Sequence, residues 1–157
     1  GHFDVIFACP PCENLSRAKT MKPRDVDAAE RLVLRALDII RYFRPVKWFM
    51  ENPRHGLMKT LPCMADVPFV DLDYCQFASW GYQKPTRFWG GSHILDIKNR
   101  VCDPITCPNM KVEDGKRVHR ERLGGRHMHF GREKNTGFQK IWSGTCAGYP
   151  TRKWCAK

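Results

Sequence analysis

Two short apolar runs flank one long amphipathic stretch, and that order constrains the fold more than anything else in the chain. Residues 3–8 (Phe-Asp-Val-Ile-Phe-Ala) stop at Cys9-Pro10-Pro11-Cys12, the pattern of a buried strand opening into a rigid loop. Across residues 25–43, Val26, Ala29, Leu32, Val33, Ala36, Leu37, Ile40 and Phe43 recur at spacings of three and four. That is one face of a helix, with Asp25 or Asp27 as N-cap and Pro45 ending it. Residues 47–50 (Lys-Trp-Phe-Met) form the second run, cut off by Glu51-Asn52-Pro53. Strand, long helix, strand predicts a βαβ unit with a right-handed parallel crossover, and so an α/β fold.

Further along, residues 69–74 read as a third strand and residues 86–89 as a fourth, separated by Gly81 and Pro85; together they predict an antiparallel, hairpin-like edge. After Gly90-Gly91 the pattern weakens. From residue 93 to 157 there is no sustained periodicity, only many Gly, Lys and Arg with scattered Cys and His, which reads as a loop-rich appendage or partly ordered tail. The expected division is therefore 1–92 for the α/β part and 93–157 for a basic extension.

The formal net charge of +11 favours a polyanion such as nucleic acid as partner. Arg117, His119, Arg120, Arg122, Arg126, His127, His129, Arg132 and Lys134 concentrate the charge in the C-terminal third; a solvated basic face without a partner is the plainer alternative. No run approaches the roughly 20 apolar residues of a membrane span. The first residues lack the basic and apolar regions of a signal peptide, so no membrane and a cytoplasmic or nuclear rather than secreted setting are expected. Eight Cys in such a setting stay reduced, which points to metal binding or catalysis rather than a disulfide framework.

In open α/β sheets ligands bind beyond the carboxyl ends of parallel strands. Cys12 follows the first strand and Glu51-Asn52-Pro53 the second, so a thiol and a carboxyl are expected over one cleft, a pairing suited to covalent catalysis. A thiolate is the nucleophilic form, and Arg17 and Lys19 would favour it, while Pro10 and Pro11 fix the loop. A carboxyl beside a base ring nitrogen can give it a proton, draw electrons from the ring and open C6 to attack.

Pro11-Cys12-Glu13-Asn14-Leu15-Ser16-Arg17-Ala18 resembles the Pro-Cys-Gln-x-Phe-Ser-x-Ala motif of cytosine-5 DNA methyltransferases. Glu51-Asn52-Pro53 resembles their Glu-Asn-Val motif, and residues 81–87 (Gly-Tyr-Gln-Lys-Pro-Thr-Arg) their Gln-x-Arg-x-Arg motif, in family order across roughly residues 3–90. The resemblance implies a partial Rossmann-like methyltransferase sheet, S-adenosylmethionine as methyl donor and a cytosine flipped out of DNA. It implies Cys12 attacking C6, Glu51 protonating N3 and Arg87 supporting O2, with Pro11, Ser16, Asn52, Gln83 and Lys84 binding the base or holding its site. Glu13 stands for the usual Gln, Pro53 for Val, and Pro85 for the first Arg, a loss that Lys84 would have to make good. The Phe-x-Gly-x-Gly loop that binds the donor would precede Phe3, so a separate or missing cofactor-binding segment is expected. A tRNA cytosine methyltransferase uses similar chemistry.

Two other readings compete. Cys9-x-x-Cys12 after a strand is also how a thioredoxin-like redox pair looks. Cys102-x4-Cys107 with His127 offers the ligands of a zinc site, completed by His119, His129, Cys146 or Cys155, within a non-catalytic nucleic-acid-binding module or beside the enzyme site. Trp48, Phe49, Phe69, Tyr74, Phe88 and Trp89 read as core or strand-face aromatics; Trp80 and Tyr82 are expected on exposed loops bordering the base.

Overall fold

The computed structural model describes residues 2–17, 23–77 and 82–121. They fall within a unit spanning Gly1–Leu123. The secondary structure comprises strand β1 (Val5–Ala8), helix α1 (Val26–Phe43) and strands β2 (Lys47–Pro53), β3 (Phe69–Asp73), β4 (Pro85–Gly90), β5 (Met110–Glu113) and β6 (Lys116–His119). This is a mixed α/β arrangement. Among the described residues no helix is long and apolar enough to cross a membrane.

Helix α1 starts where Asp25 accepts a hydrogen bond from Ala28 N–H at 2.8 Å, satisfying one of the helix's orphan donors. It stops at Arg44, whose left-handed conformation (φ 44°) turns its N–H back to the Ile40 carbonyl. Pro45 next in the chain cannot continue the helix. The expected βαβ unit is present: β1 and β2 pair in parallel, with Ile6 opposite Trp48 and Ala8 opposite Met50.

The main sheet runs β1-β2-β4-β3. Strands β3 and β4 are antiparallel neighbours, as their sequence suggests, but β4 inserts between β2 and β3 and pairs with both. It is an interior strand, which explains why Phe88 and Trp89 are both buried. A separate two-stranded sheet, β5–β6, occupies a stretch expected to be loop. Asp114 (φ 50°) and Gly115 (φ 71°) make its turn, the Asp-Gly pair whose backbone twist suits a two-residue hairpin.

Register divides the side chains of the main sheet. Ile6, Ala8, Trp48, Met50 and Trp89 join Ala29, Val33, Leu37 and Ile40 of α1 in the main core, closed at one end by Leu15, Met58, Leu61 and Met64. Phe49, Phe88 and Val70 point the other way and form a smaller cluster with Ile94. Phe7 tilts against Phe49 and Phe88 there but stays 40% exposed. The helix-bearing face supplies most of the buried apolar area.

Met50, fully buried on an inner strand, should cost about 2–5 kcal/mol when cut to Ala, through lost transfer energy and the cavity left behind. Leu32, on α1 and 51% exposed, should cost within about 0.5 kcal/mol of nothing as Ser, as surface changes do. Urea unfolding with unchanged slope and a midpoint lowered only for Met50→Ala is the expected result.

Candidate active site

The loop after β1 is held at two points, one on either side of Cys12. Before it, Asn52 of β2 donates from Nδ2 to the Pro10 carbonyl at 3.0 Å. After it, Leu15 sinks completely into the main core, its N–H bonded to the Cys12 carbonyl (3.0 Å) and its carbonyl receiving Leu57 N–H (2.7 Å). Gly56 lets the chain turn against this loop: a Cβ there would stand 3.0 Å from the Pro53 carbonyl and 3.1 Å from that of Leu15. Pro11 and Cys12 themselves are exposed. A solvent-facing thiol between two anchored residues is positioned without being buried. Of the cations expected near it, Arg17 is exposed, while Lys19 lies outside the described residues.

Glu51 sits half-buried on β2, one residue past the last pair with β1. Its Oε1 receives Lys84 Nζ at 3.1 Å, and the same ammonium lies 4.8 Å from the Tyr74 ring centroid. Burial works against the Lys84 charge, but Glu51 and Tyr74 outweigh it and hold this ammonium above the usual lysine range. Burial, with the Glu51 charge adding to it, raises the Tyr74 phenol. Cys9 belongs to the same group. Its surface is solvent-accessible, yet the surrounding chain and then Glu51 push its thiol up to about 11, against the pull of Lys84. A redox Cys-x-x-Cys pair works through a lowered thiol pKa, and Cys9 is shifted the other way.

The remaining motif residues are engaged elsewhere. Arg87 lies opposite Asn52 on one side and Asp71 on the other, so it shares the helix-bearing face with them, while Glu51, opposite Phe88, points to the other face. There Arg87 makes a two-pronged contact to Asp71 at 2.7 and 2.8 Å and stacks 3.6 Å from the Phe69 ring centroid. Gln83 donates to Asp73 Oδ2 at 3.1 Å. Ser16 gives its carbonyl to Arg24 Nε at 3.0 Å. The structure therefore joins Glu51 with Lys84, and Asn52 with the Cys12 loop, but does not bring Arg87 to Glu51. Tyr82 is half-buried, 6.4 Å from Tyr74; Trp80 lies outside the described residues.

A second constellation stands at the far end of β3. Cys75, Cys102, Cys107 and His119 offer ligand atoms that all lie within 4.8 Å of one another. Two of them, Cys102 and Cys107, are the pair singled out from their spacing. Cys75 and His119 complete the group, whereas His127, His129, Cys146 and Cys155 lie outside the described residues. Cys75 escapes a spacing argument because it sits far upstream, on the turn that ends β3. Desolvation first, then the neighbouring thiols, raise the Cys102 thiol well above its usual range, and burial lowers the His119 imidazole despite the pull of Asp73.

No family model matches the chain. It is 34% identical over 122 residues to a protein of Frog virus 3 (isolate Goorha) described as a probable DNA (cytosine-5)-methyltransferase, covering 69% of this chain and 55% of that relative. The chain thus spans about half the length of the curated relative it matches.

The Cys9 shift from 9.0 to about 11 means about a hundredfold less thiolate at pH 8 than in an ordinary cysteine. Iodoacetamide labelling followed residue by residue by mass spectrometry should therefore be slow at Cys9, and faster in Glu51→Gln, which removes a charge that disfavours the thiolate. Labelling at an ordinary rate in the unaltered chain would show that its surroundings do not hold the Cys9 thiol up, and an unchanged rate in Glu51→Gln would show that Glu51 does not contribute.

Proposed function

Because this chain belongs to the cytosine-5 DNA methyltransferase family, we propose that it methylates C5 of cytosine in DNA through a transient covalent bond from Cys12. The observation that carries the reading is the Asn52–Pro10 hydrogen bond. It fastens the thiol-bearing loop to the strand that carries Glu51, so the two groups leave the sheet at the carboxyl ends of adjacent parallel strands. We read that sheet as part of a Rossmann-like methyltransferase sheet, with residues 1–92 for the chemistry and 93–157 facing DNA.

The Cys12 thiolate attacks C6 of a cytosine turned out of the stack. As the S–C6 bond forms, the C5–C6 π pair moves onto C5, and Glu51 offsets the developing charge by passing a proton to N3. We give the cation's role at the cytosine O2 to Lys84, which already touches Glu51, since Arg87 is bound to Asp71 on the other face. Once C5 has taken the methyl group, loss of its proton to a solvent base restores the double bond and expels the Cys12 thiolate, and N3 returns its proton to Glu51. Family members draw that methyl group from S-adenosylmethionine. The chain contains no Phe-x-Gly-x-Gly segment, and we assign none of its described residues to the donor. Its own residues account for attack on the base and for release.

The +11 charge supplies phosphate contacts that position the duplex without reading sequence. The test is trapping: the full chain, S-adenosylmethionine and duplexes carrying 5-fluorocytosine, whose C5 has no proton to lose. A denaturation-resistant adduct is expected, absent in Cys12→Ser and slowed about 10²–10⁴-fold in Glu51→Gln, the range for loss of a general acid. An adduct that survives Cys12→Ser would sink the assignment, and one formed only on RNA hairpins carrying the same base would move the substrate to RNA.

A further inference from the structure

The cluster at the end of β3 is not used by the chemistry above, and it joins three separate pieces of chain. Cys75 sits on the turn Tyr74–Gln76 that follows β3. Cys102 and Cys107 bracket a turn held by Asp103, whose carboxylate receives Ile105 N–H and the Thr106 hydroxyl. His119 is the last residue of β6. Its Nε2 lies 3.3 Å from Cys102 Sγ and 3.8 Å from Cys107 Sγ. With Zn–S bonds of about 2.3 Å and a Zn–N bond of about 2.0–2.1 Å, neighbouring ligand atoms of a tetrahedron stand about 3.5–3.8 Å apart. The two His119 separations bracket that size, and the four ligand atoms together lie within 4.8 Å of one another.

Buried thiols usually need no metal, since cysteine packs as a small hydrophobe. The surroundings argue otherwise. The segment that carries Cys102, Cys107 and His119 turns its apolar side chains outward: Ile105 and Val112 are exposed, and Val101 is nearly half exposed. Between residues 97 and 121 the buried residues are Cys107 and Asn109, and Asn109 spends its amide on the Cys75 carbonyl at 2.8 Å. A lone two-stranded hairpin is marginal in water at best, and β5–β6 has no fully buried apolar side chain of its own. Its thiols and imidazole occupy the place where a small core would otherwise be.

We infer that Cys75, Cys102, Cys107 and His119 bind one zinc ion in a closed tetrahedral site that fastens the β5–β6 hairpin to the end of β3. Three thiolates suit zinc, a borderline-soft ion without geometric preference of its own, better than the oxygen-seeking cations. Four protein ligands leave no position for water or substrate, so the ion is structural and takes no part in the methyl transfer. The hairpin so fixed carries Lys111, Lys116 and Arg117, with Arg120 just beyond it. The bridge from Tyr82 to Glu121 brings this basic segment alongside the strand approach that holds Gln83 and Lys84.

Metal analysis of the full chain, prepared with zinc and then dialysed, tests the inference without reference to activity. About one zinc per chain is expected, with X-ray absorption showing three sulfurs and one nitrogen. Cobalt in its place should give thiolate-to-metal charge transfer and tetrahedral visible bands. Cys102→Ser and Cys75→Ser should lose the ion, His119→Cys should keep it with four sulfurs, and Cys63→Ser and His127→Ala should not change it. Because a metal-free variant could unfold, the ligand count in the unaltered chain decides independently. A folded chain that takes up no zinc from excess overturns the inference. So does a ligand shell poorer in sulfur, or zinc that survives Cys102→Ser and leaves with His127→Ala.

Discussion

Asp73 is fully buried, and three other pieces of the chain are organised around its carboxylate. Its Oδ2 accepts from Cys102 N–H at 2.7 Å and from Gln83 at 3.1 Å, while Oδ1 has no hydrogen-bond partner among the described residues and is balanced by the Arg54 charge at 3.5 Å. A carboxylate out of water is tolerated only when such partners replace its hydration. Stripping one partner from a buried pair costs about 3–5 kcal/mol, because an uncompensated charge is left behind. Asp73 therefore forces Arg54, just beyond the Glu51-Asn52-Pro53 strand end, to stay beside the end of β3. It forces Gln83 to hold Lys84 at the same edge, and it sets the backbone from which Cys102 projects. The acid site and the thiol cluster share this one constraint.

Neutral contacts complete what Asp73 begins. Asn52, also buried, uses its amide N–H on the Pro10 carbonyl and keeps Oδ1 without a partner among the described residues. The bond is short-range in space but links residues 42 apart in sequence, which makes the position of the Cys12 loop a property of the folded sheet rather than of the loop. Leu15 adds the apolar half of the clamp. A loop pinned by one polar and one apolar anchor loses little further entropy when a ligand arrives.

How far the sequence discloses this depends on the range of each interaction. Helix α1 was legible because its 3.6-residue period is local, with the cap narrowed to Asp25 or Asp27; the structure uses Asp25. The parallel pairing of β1 and β2 followed from the helix between them. The insertion of β4 between β2 and β3 was not legible, since strand order depends on contacts among distant residues and leaves no periodic trace. The β5–β6 hairpin did leave a trace, Asp114-Gly115, but its strands are only four residues long, so the alternation of Met110 and Val112 in β5 is too brief to mark a strand. Within the candidate site, Glu51 and Cys12 stood out by residue type at strand ends. Lys84 stood out only as a replacement for a missing Arg, and Cys75 not at all, because a ligand contributed by a different element has no characteristic spacing.

The two cations of the fourth strand region show how chemistry sorts residues that a motif treats alike. Arg87 offers a planar fork, Asp71 a matching carboxylate, and the two prongs at 2.7 and 2.8 Å are the geometry in which guanidinium binds most strongly. Stacking on Phe69 fixes the fork further, so Arg87 is a strut between β3 and β4. Lys84 presents a rotatable ammonium to a single oxygen of Glu51 and to the side chain of Tyr74, whose ring centroid lies 4.8 Å away. The ammonium's donors rotate, whereas the Arg87–Asp71 fork is fixed in one plane. Of the two, the half-buried Lys84 beside Glu51 is therefore the cation to which the proposed chemistry gives the substrate contact. Arg87 and Glu51, the partner of Lys84, lie on opposite faces of the sheet, so the strut and the ammonium beside Glu51 do not compete for the same partner.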